Sequence, residues 1–187
     1  MNTIAGVLGL LYFLSEIGVA LSKHGRRAGA ERKDRGSLRI LWISIAIGMS
    51  IAITLSNARA GGSFTMTPSW IAAAVVVFAS GISFRWWAIV TLGRMFTVDV
   101  SILDDHELVV RGPFRIVRHP SYTGALLAVL GLGIAFGSVG SIAAVFVPFF
   151  CALLYRIHVE EAALKARFGA SYDAYAARTK RLVPVVF

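Results

Sequence analysis

The densest run of chemically capable side chains in the sequence is Gly112-Pro113-Phe114-Arg115 leading into Arg118-His119-Pro120-Ser121-Tyr122-Thr123-Gly124, with Arg156, Glu160 and Glu161 further on. Guanidinium groups hold carboxylates bidentately, while an imidazole or carboxylate can move a proton. Ionisable groups within or beside apolar segments are costly and default to a functional reading, which brings forward Glu16 and Arg85 as well. Anchoring at a membrane interface accounts for the arginines. It explains poorly why Glu160 and Glu161 follow the end of an apolar block, where positive charge is favoured. A metal centre is not indicated: none of His24, His106, His119 and His158 is paired at helical ligand spacing, and Cys151 is the only cysteine. Gly131, Gly133 and Gly137 resemble part of a nucleotide-binding fingerprint but sit in an apolar block with no preceding strand. Helix packing is the better reading, with Gly133 and Gly137 as a small-xxx-small pair.

The elements that must position these groups are membrane helices. Of 187 residues 57% are hydrophobic and 16% charged, and the mean hydropathy of +0.71 is far above that of a soluble domain. A bilayer core of roughly 30 Å needs about 20 apolar residues in a helix. Five blocks approach that length, at residues 2–22, 38–56, 69–93, 121–137 and 139–157. The expectation is an all-α integral membrane protein of about five transmembrane helices, forming one domain over residues 1–187. Pro120 favours a helix start at the fourth block, and the tight connection after it returns Arg156 to Glu161 to the surface where His119 lies.

The formal charge of +9 does not indicate nucleic acid, because the basic residues lie between apolar blocks, where membrane topology and anionic lipid head groups account for them. The first loop, 23 to 39, holds seven Lys and Arg, the next only Arg59. With five spans the positive-inside rule places the N-terminus outside and the C-terminus in the cytoplasm. Two cytoplasmic segments have patterns of their own. Phe96, Val98, Val100 and Ile102 alternate with polar residues and, after Asp104, Asp105 and His106, Leu108 to Val110 follow, which predicts a small hairpin. In the tail Leu164, Phe168, Tyr172 and Tyr175 fall at helical spacing, an amphipathic helix at the membrane surface that Gly169 can break.

At these residues the sequence resembles the isoprenylcysteine carboxyl methyltransferase family, membrane enzymes that use S-adenosylmethionine. The resemblance is carried by Arg85, Thr91-Leu92-Gly93 and Phe96, then Gly112-Pro113-Phe114, Arg118-His119-Pro120-Ser121-Tyr122 with Gly124, Glu160-Glu161, and the tail residues Leu164, Phe168-Gly169, Tyr172, Tyr175, Arg181 and Pro184. It implies a cofactor-binding core over 85–184, with the pocket between the last two spans and the tail. Arg118, His119, Pro120, Tyr122 and Gly124 would border the cofactor, and Tyr172, Tyr175 and Arg181 would close over it. Arg85, Arg156, Glu160 and Glu161 match positions associated with substrate and catalysis, and the resemblance implies no metal.

The chemistry is consistent with this pattern. Methyl transfer from a sulfonium is an in-line displacement that needs alignment and exclusion of water more than an acid or base. A carboxylate acceptor is ionised at neutral pH, and a buried Arg85 could hold it. A site at the membrane boundary suits a lipophilic or prenylated acceptor arriving through the bilayer, an isoprenylcysteine carboxylate first among them. The element Arg-His-Pro-x-Tyr is shared with sterol-type NADPH-dependent reductases. The competing expectations are therefore such a reductase, methylation of a thiol or a phospholipid amine, and, outside enzymes, a small channel or transporter.

Overall fold

The computed structural model describes residues 3–22, 31–32, 36–97, 101–102 and 107–184. Six helices carry the fold: α1 Thr3–Ser22, α2 Ser37–Asn57, α3 Pro68–Leu92, α4 Pro120–Ala135, α5 Val139–Phe168 and α6 Ala170–Arg178. Several start or stop where local chemistry dictates. The Thr67 side chain caps α3 by accepting from the Trp70 amide, with Pro68 at the first helical position. Pro120 opens α4 in the same way, and Ser138 caps α5. Gly169, at φ 52°, ends α5 and redirects the chain into α6, a conformation glycine adopts without a steric penalty.

Four helices, α1, α2, α3 and α5, are long and apolar enough to cross a membrane, and the protein is an integral multi-pass membrane protein. The expected fourth span is the short one. At 16 residues α4 is about 24 Å long by helical rise. It is also the most enclosed of the described helices: eleven of its sixteen residues are buried against the rest of the protein. The fifth span continues past the expected end at 157 to Phe168, which makes Glu160 and Glu161 part of the same rigid helix as Arg156.

Among the described residues, α3 and α4 make the closest helix contact. A Cβ at Gly124 would lie 2.5 Å from the Arg85 amide nitrogen, and one at Gly131 2.5 Å from that of Phe78. A Cβ at Gly81 would collide with the Ala128 backbone. Backbone thus rests on backbone along a seam of small residues. Gly131 belongs to that seam and Gly133 faces Ile142 of α5, whereas Gly137 serves the turn after α4, so the expected Gly133–Gly137 pair is not one packing surface. Gly124, expected beside the cofactor, is spent on the seam. On the far end, Phe64 and Gly140 close the α4–α5 turn against the 58–67 loop through backbone bonds to Gly137 and Gly61.

Two expectations outside the spans change. Ser101–Ile102 does form a strand, but it pairs antiparallel with Glu31–Arg32 of the first loop rather than with 108–110, which carry no regular structure among the described residues. A two-residue strand takes whatever edge is adjacent, and the sequence alternation does not say which. Asp104, Asp105 and His106, which would form the hairpin turn, and the first-loop residues 23–30 and 33–35, His24 included, lie outside the described residues. The tail helix is split at Gly169 as its sequence suggests, but α6 folds onto the end of α5 and the 112–119 segment, burying Tyr172 and Tyr175.

Candidate active site

The site is built where the start of α4, the end of α5 and the tail meet. The tail is zipped to the segment before α4: the amides of Arg118 and His119 donate to the carbonyls of Lys180 and Arg181 at 2.7 and 3.0 Å, and the Thr123 hydroxyl donates to the Leu182 carbonyl at 2.7 Å. Glu161 is the electrostatic centre of this junction. Its carboxylate accepts from Arg118 Nε at 3.0 Å and from Arg181 Nε and Nη2 at 3.1 and 2.9 Å. His119 Nε2 lies 3.2 Å from it. Arg118 also donates to the carbonyls of Ala176 and Thr179, so its guanidinium fastens α6 and the tail. The hydrogen bonds to Glu161 hold the Arg181 guanidinium more firmly protonated than usual. Tyr175 donates to the Phe114 carbonyl at 2.8 Å, and burial pushes its hydroxyl up to about 12. Burial, reinforced by the negative charge of Glu161, likewise raises Tyr172, whose buried hydroxyl faces that carboxylate without a well-aligned hydrogen bond.

Glu160, one residue earlier, faces a different partner. Tyr122 donates to its carboxylate at 2.5 Å, and Arg156 Nε donates to the same phenol oxygen at 2.9 Å. The Arg156 guanidinium also lies 5.9 Å from the centre of the Tyr122 ring and donates to Ser37 Oγ at 3.0 Å. His119 stacks on Tyr122, with ring centres 5.6 Å apart and planes 11° from parallel. The paired carboxylates therefore divide: Glu161 holds the tail, and Glu160 joins a Tyr–Arg network.

Arg85 lies deeper, on α3. Its Nη1 donates to the Ser121 hydroxyl at 2.9 Å and the Ser121 carbonyl at 3.2 Å. Its Nη2 donates to Glu16 Oε2 at 2.9 Å. Arg85 Nε and Glu16 Oε1 are also 2.9 Å apart, but that pair is poorly aligned, and neither atom has a hydrogen bond of good geometry. Nearby, the Trp86 indole donates to Ser15 at 2.9 Å, a second tie between α1 and α3.

Two cavities flank these groups. One encloses about 830 Å³ of empty space, its open mouth included, and is lined among others by Phe114, Arg118, His119, Pro120, Tyr122, Glu160 and Tyr175. The other, about 890 Å³ measured the same way, lies inside the bundle between Tyr12, Glu16, Trp42, Arg85, Phe149 and Leu153. Five residues line both: Phe96, Thr97, Ser121, Tyr122 and Arg156. Both linings are mainly apolar; the outer cavity adds Arg118, His119 and Glu160 to the shared Arg156, and the inner one adds the Glu16–Arg85 pair.

A profile of the isoprenylcysteine carboxyl methyltransferase family matches residues 72–166, half of the chain. The chain belongs to that family. Among relatives, protein-S-isoprenylcysteine O-methyltransferase B of Arabidopsis thaliana is 34% identical over 133 residues, covering 60% of this chain and 68% of its own. The protein-S-isoprenylcysteine O-methyltransferase of Schizosaccharomyces pombe is 34% identical over 82 residues, 44% of this chain and 35% of its own. The solved eukaryotic intramembrane Ras methyltransferase of the family superposes with a TM-score of 0.57 at 22% identity, over 78% of this chain and 52% of that one. The fold is thus the family's, although this chain spans only about half the length of the solved relative. Nothing in the match favours the reductase or channel readings.

Within this family member, the residues expected from sequence fall into four groups. Arg118, His119, Pro120, Tyr122, Tyr175, Arg156 and Glu160 line the outer cavity. Glu161, Arg181 and Tyr172 stand behind it at the tail junction, and Gly124 lies in the helix seam. Arg85 lines the inner cavity only. Sequence reasoning missed Ser37, a fully buried partner of Arg156 119 residues away. A serine preceding an apolar block reads as a helix cap, so no sequence signal marked it. Thr97 and Tyr12 were missed in the same way, since only packing brings them to the cavity walls.

Proposed function

We propose that this chain methylates the carboxylate of an S-isoprenylcysteine-like acceptor with S-adenosylmethionine, at the cytoplasmic boundary of the membrane, with its N-terminus outside and its C-terminus inside. The observation that carries the reading is the shared wall. A cavity walled by His119, Glu160, Arg118 and the aromatic rings and a second cavity walled by α1, α2 and α5 side chains share Phe96, Thr97, Ser121, Tyr122 and Arg156. A donor and a lipid acceptor can each occupy one cavity and meet at that shared wall.

The outer cavity fits the cofactor chemically. A sulfonium is drawn to aromatic faces, which Phe114, Tyr122 and Tyr175 supply. Glu160 offers a carboxylate for hydroxyl or ammonium donors, and the buried Tyr172 hydroxyl stands at the junction behind. When bound, S-adenosylmethionine would supply an electrophilic methyl group.

The chain's own residues then have positioning to do. The inner cavity sequesters the isoprenoid, and Arg156 on the shared wall orients the acceptor carboxylate toward Tyr122. One carboxylate oxygen takes the methyl group in line while the carbon–sulfur electron pair stays on sulfur, so no proton is transferred. The tail, fastened through Glu161, keeps water out, and alignment carries most of the rate.

The test is calorimetric titration of the detergent-purified protein with S-adenosylhomocysteine, with NADPH for comparison, followed by labelled-methyl transfer to N-acetyl-S-farnesylcysteine. Binding of the first, lost in His119→Ala and Tyr122→Ala, together with methyl ester formation, is the expected result. Binding of NADPH alone would overturn it.

A further inference from the structure

Glu16 lies on α1, outside the segment that matches the family profile, yet its carboxylate forms part of the inner cavity wall. There it pairs with Arg85 through one hydrogen bond, Nη2 to Oε2 at 2.9 Å, with Oε1 also 2.9 Å from Nε, so it occupies the side of the guanidinium that an acceptor carboxylate would use. The chain thus supplies its own carboxylate to Arg85. Ser121 occupies the remaining Nη1. The pair sits among Tyr12, Leu41, Trp42, Ala125, Phe149 and Leu153, which bring no charge, and Arg156 is the further ionised group among the described lining residues.

In such a wall the sign of each fixed charge matters more than in water, because little solvent screens it. Deleting Glu16 would leave the cavity one positive charge richer, and a second negative group on an acceptor would gain a partner that Glu16 now denies it. Specificity of this kind comes from a repulsive element as much as from an attractive one.

We propose that Glu16 sets the charge selectivity of the acceptor cavity: by cancelling Arg85 it admits acceptors bearing one carboxylate and turns away those bearing two. The inference rests on the acceptor reading given above. Glu16 acts through Arg85 and through its own negative charge, and is a specificity-determining rather than a catalytic residue.

The experiment compares N-acetyl-S-farnesylcysteine, with one carboxylate, and S-farnesylmercaptosuccinate, with two, as acceptors for the full chain in detergent. The wild-type protein should favour the monocarboxylate in kcat/KM. In Glu16→Gln the ratio should move toward the dicarboxylate by on the order of tenfold or more. In the double variant Glu16→Gln/Arg85→Gln, where a neutral pair replaces the ion pair, the ratio should return toward wild type. A merely structural role would lower both rates together and leave the ratio fixed in Glu16→Gln, which overturns the proposal. Should Glu16→Gln fail to fold, Leu38→Lys, which adds a positive charge to the same cavity wall with the ion pair intact, decides: a ratio moved toward the dicarboxylate supports the proposal, and an unchanged ratio overturns it. A wild-type protein that binds S-adenosylhomocysteine but methylates neither acceptor removes the acceptor reading itself, and this inference with it.

Discussion

Glu16 and Arg85, 69 residues apart in sequence, form a near-buried ion pair that joins the first helix to the third. Their side chains are 13% and 10% exposed, so little water compensates either charge. Such a pair resists loss of one partner far more than loss of both, because a lone buried charge is left behind.

Arg85→Ala, which strands the Glu16 carboxylate, is therefore expected to lower stability by about 3 to 5 kcal/mol and to reduce methylation with it. Arg85 does not line the outer cavity, so affinity for S-adenosylhomocysteine should be largely intact. Calorimetry and thermal unfolding in the same detergent read the two effects separately. Lost cofactor binding in a folded variant would contradict the separation of the cavities.

Tyr122→Phe removes the hydroxyl that joins Arg156 to Glu160 while keeping the ring that stacks on His119. Two ionised groups lose a partner, a cost of about 1 to 3 kcal/mol. The expected result is a fall in kcat of roughly tenfold to a hundredfold, with the unfolding temperature lowered by roughly 2 to 12 °C. A variant with full activity would remove the network from the mechanism.

Glu161→Gln leaves Arg118 and Arg181 without their carboxylate and loosens the tail from the turn before α4. Weaker S-adenosylhomocysteine binding and faster proteolytic cleavage after α6 should appear together. Activity is expected to be impaired as well. Cleavage at the wild-type rate would show that the backbone bonds from 118–119 to 180–181 suffice.

Gly124→Ala would place a methyl group 2.5 Å from the Arg85 amide nitrogen. The helices must separate, at a cost of about 1 to 3 kcal/mol or more, and Arg85 must shift with α3. Lower thermal stability with reduced turnover is the expected outcome. An unperturbed protein would mean that the α3–α4 seam yields more easily than its close contacts suggest.

Much of this architecture is written locally, and locality is why it is legible. The apolar blocks mark the helices, Pro120 sets the start of α4, and Gly169 divides α5 from α6, because each depends on a few neighbouring residues. The run from Arg118 to Tyr122, with Glu160 and Glu161, announced the site because costly ionisable groups cluster there beside apolar sequence. By itself, then, the sequence determined the helical membrane fold, the family and the residues around the outer cavity. Only the tertiary structure decided which groups meet across helices: Glu16 with Arg85, Ser37 with Arg156, Ser101–Ile102 with Glu31–Arg32, and Gly124 with the α3 backbone. Those pairings follow from how closely and at what angle helices cross, a collective result of packing that no local periodicity encodes. The division of labour between Glu160 and Glu161 has the same origin, since adjacent residues on one helix point in different directions and meet whatever the fold has placed there.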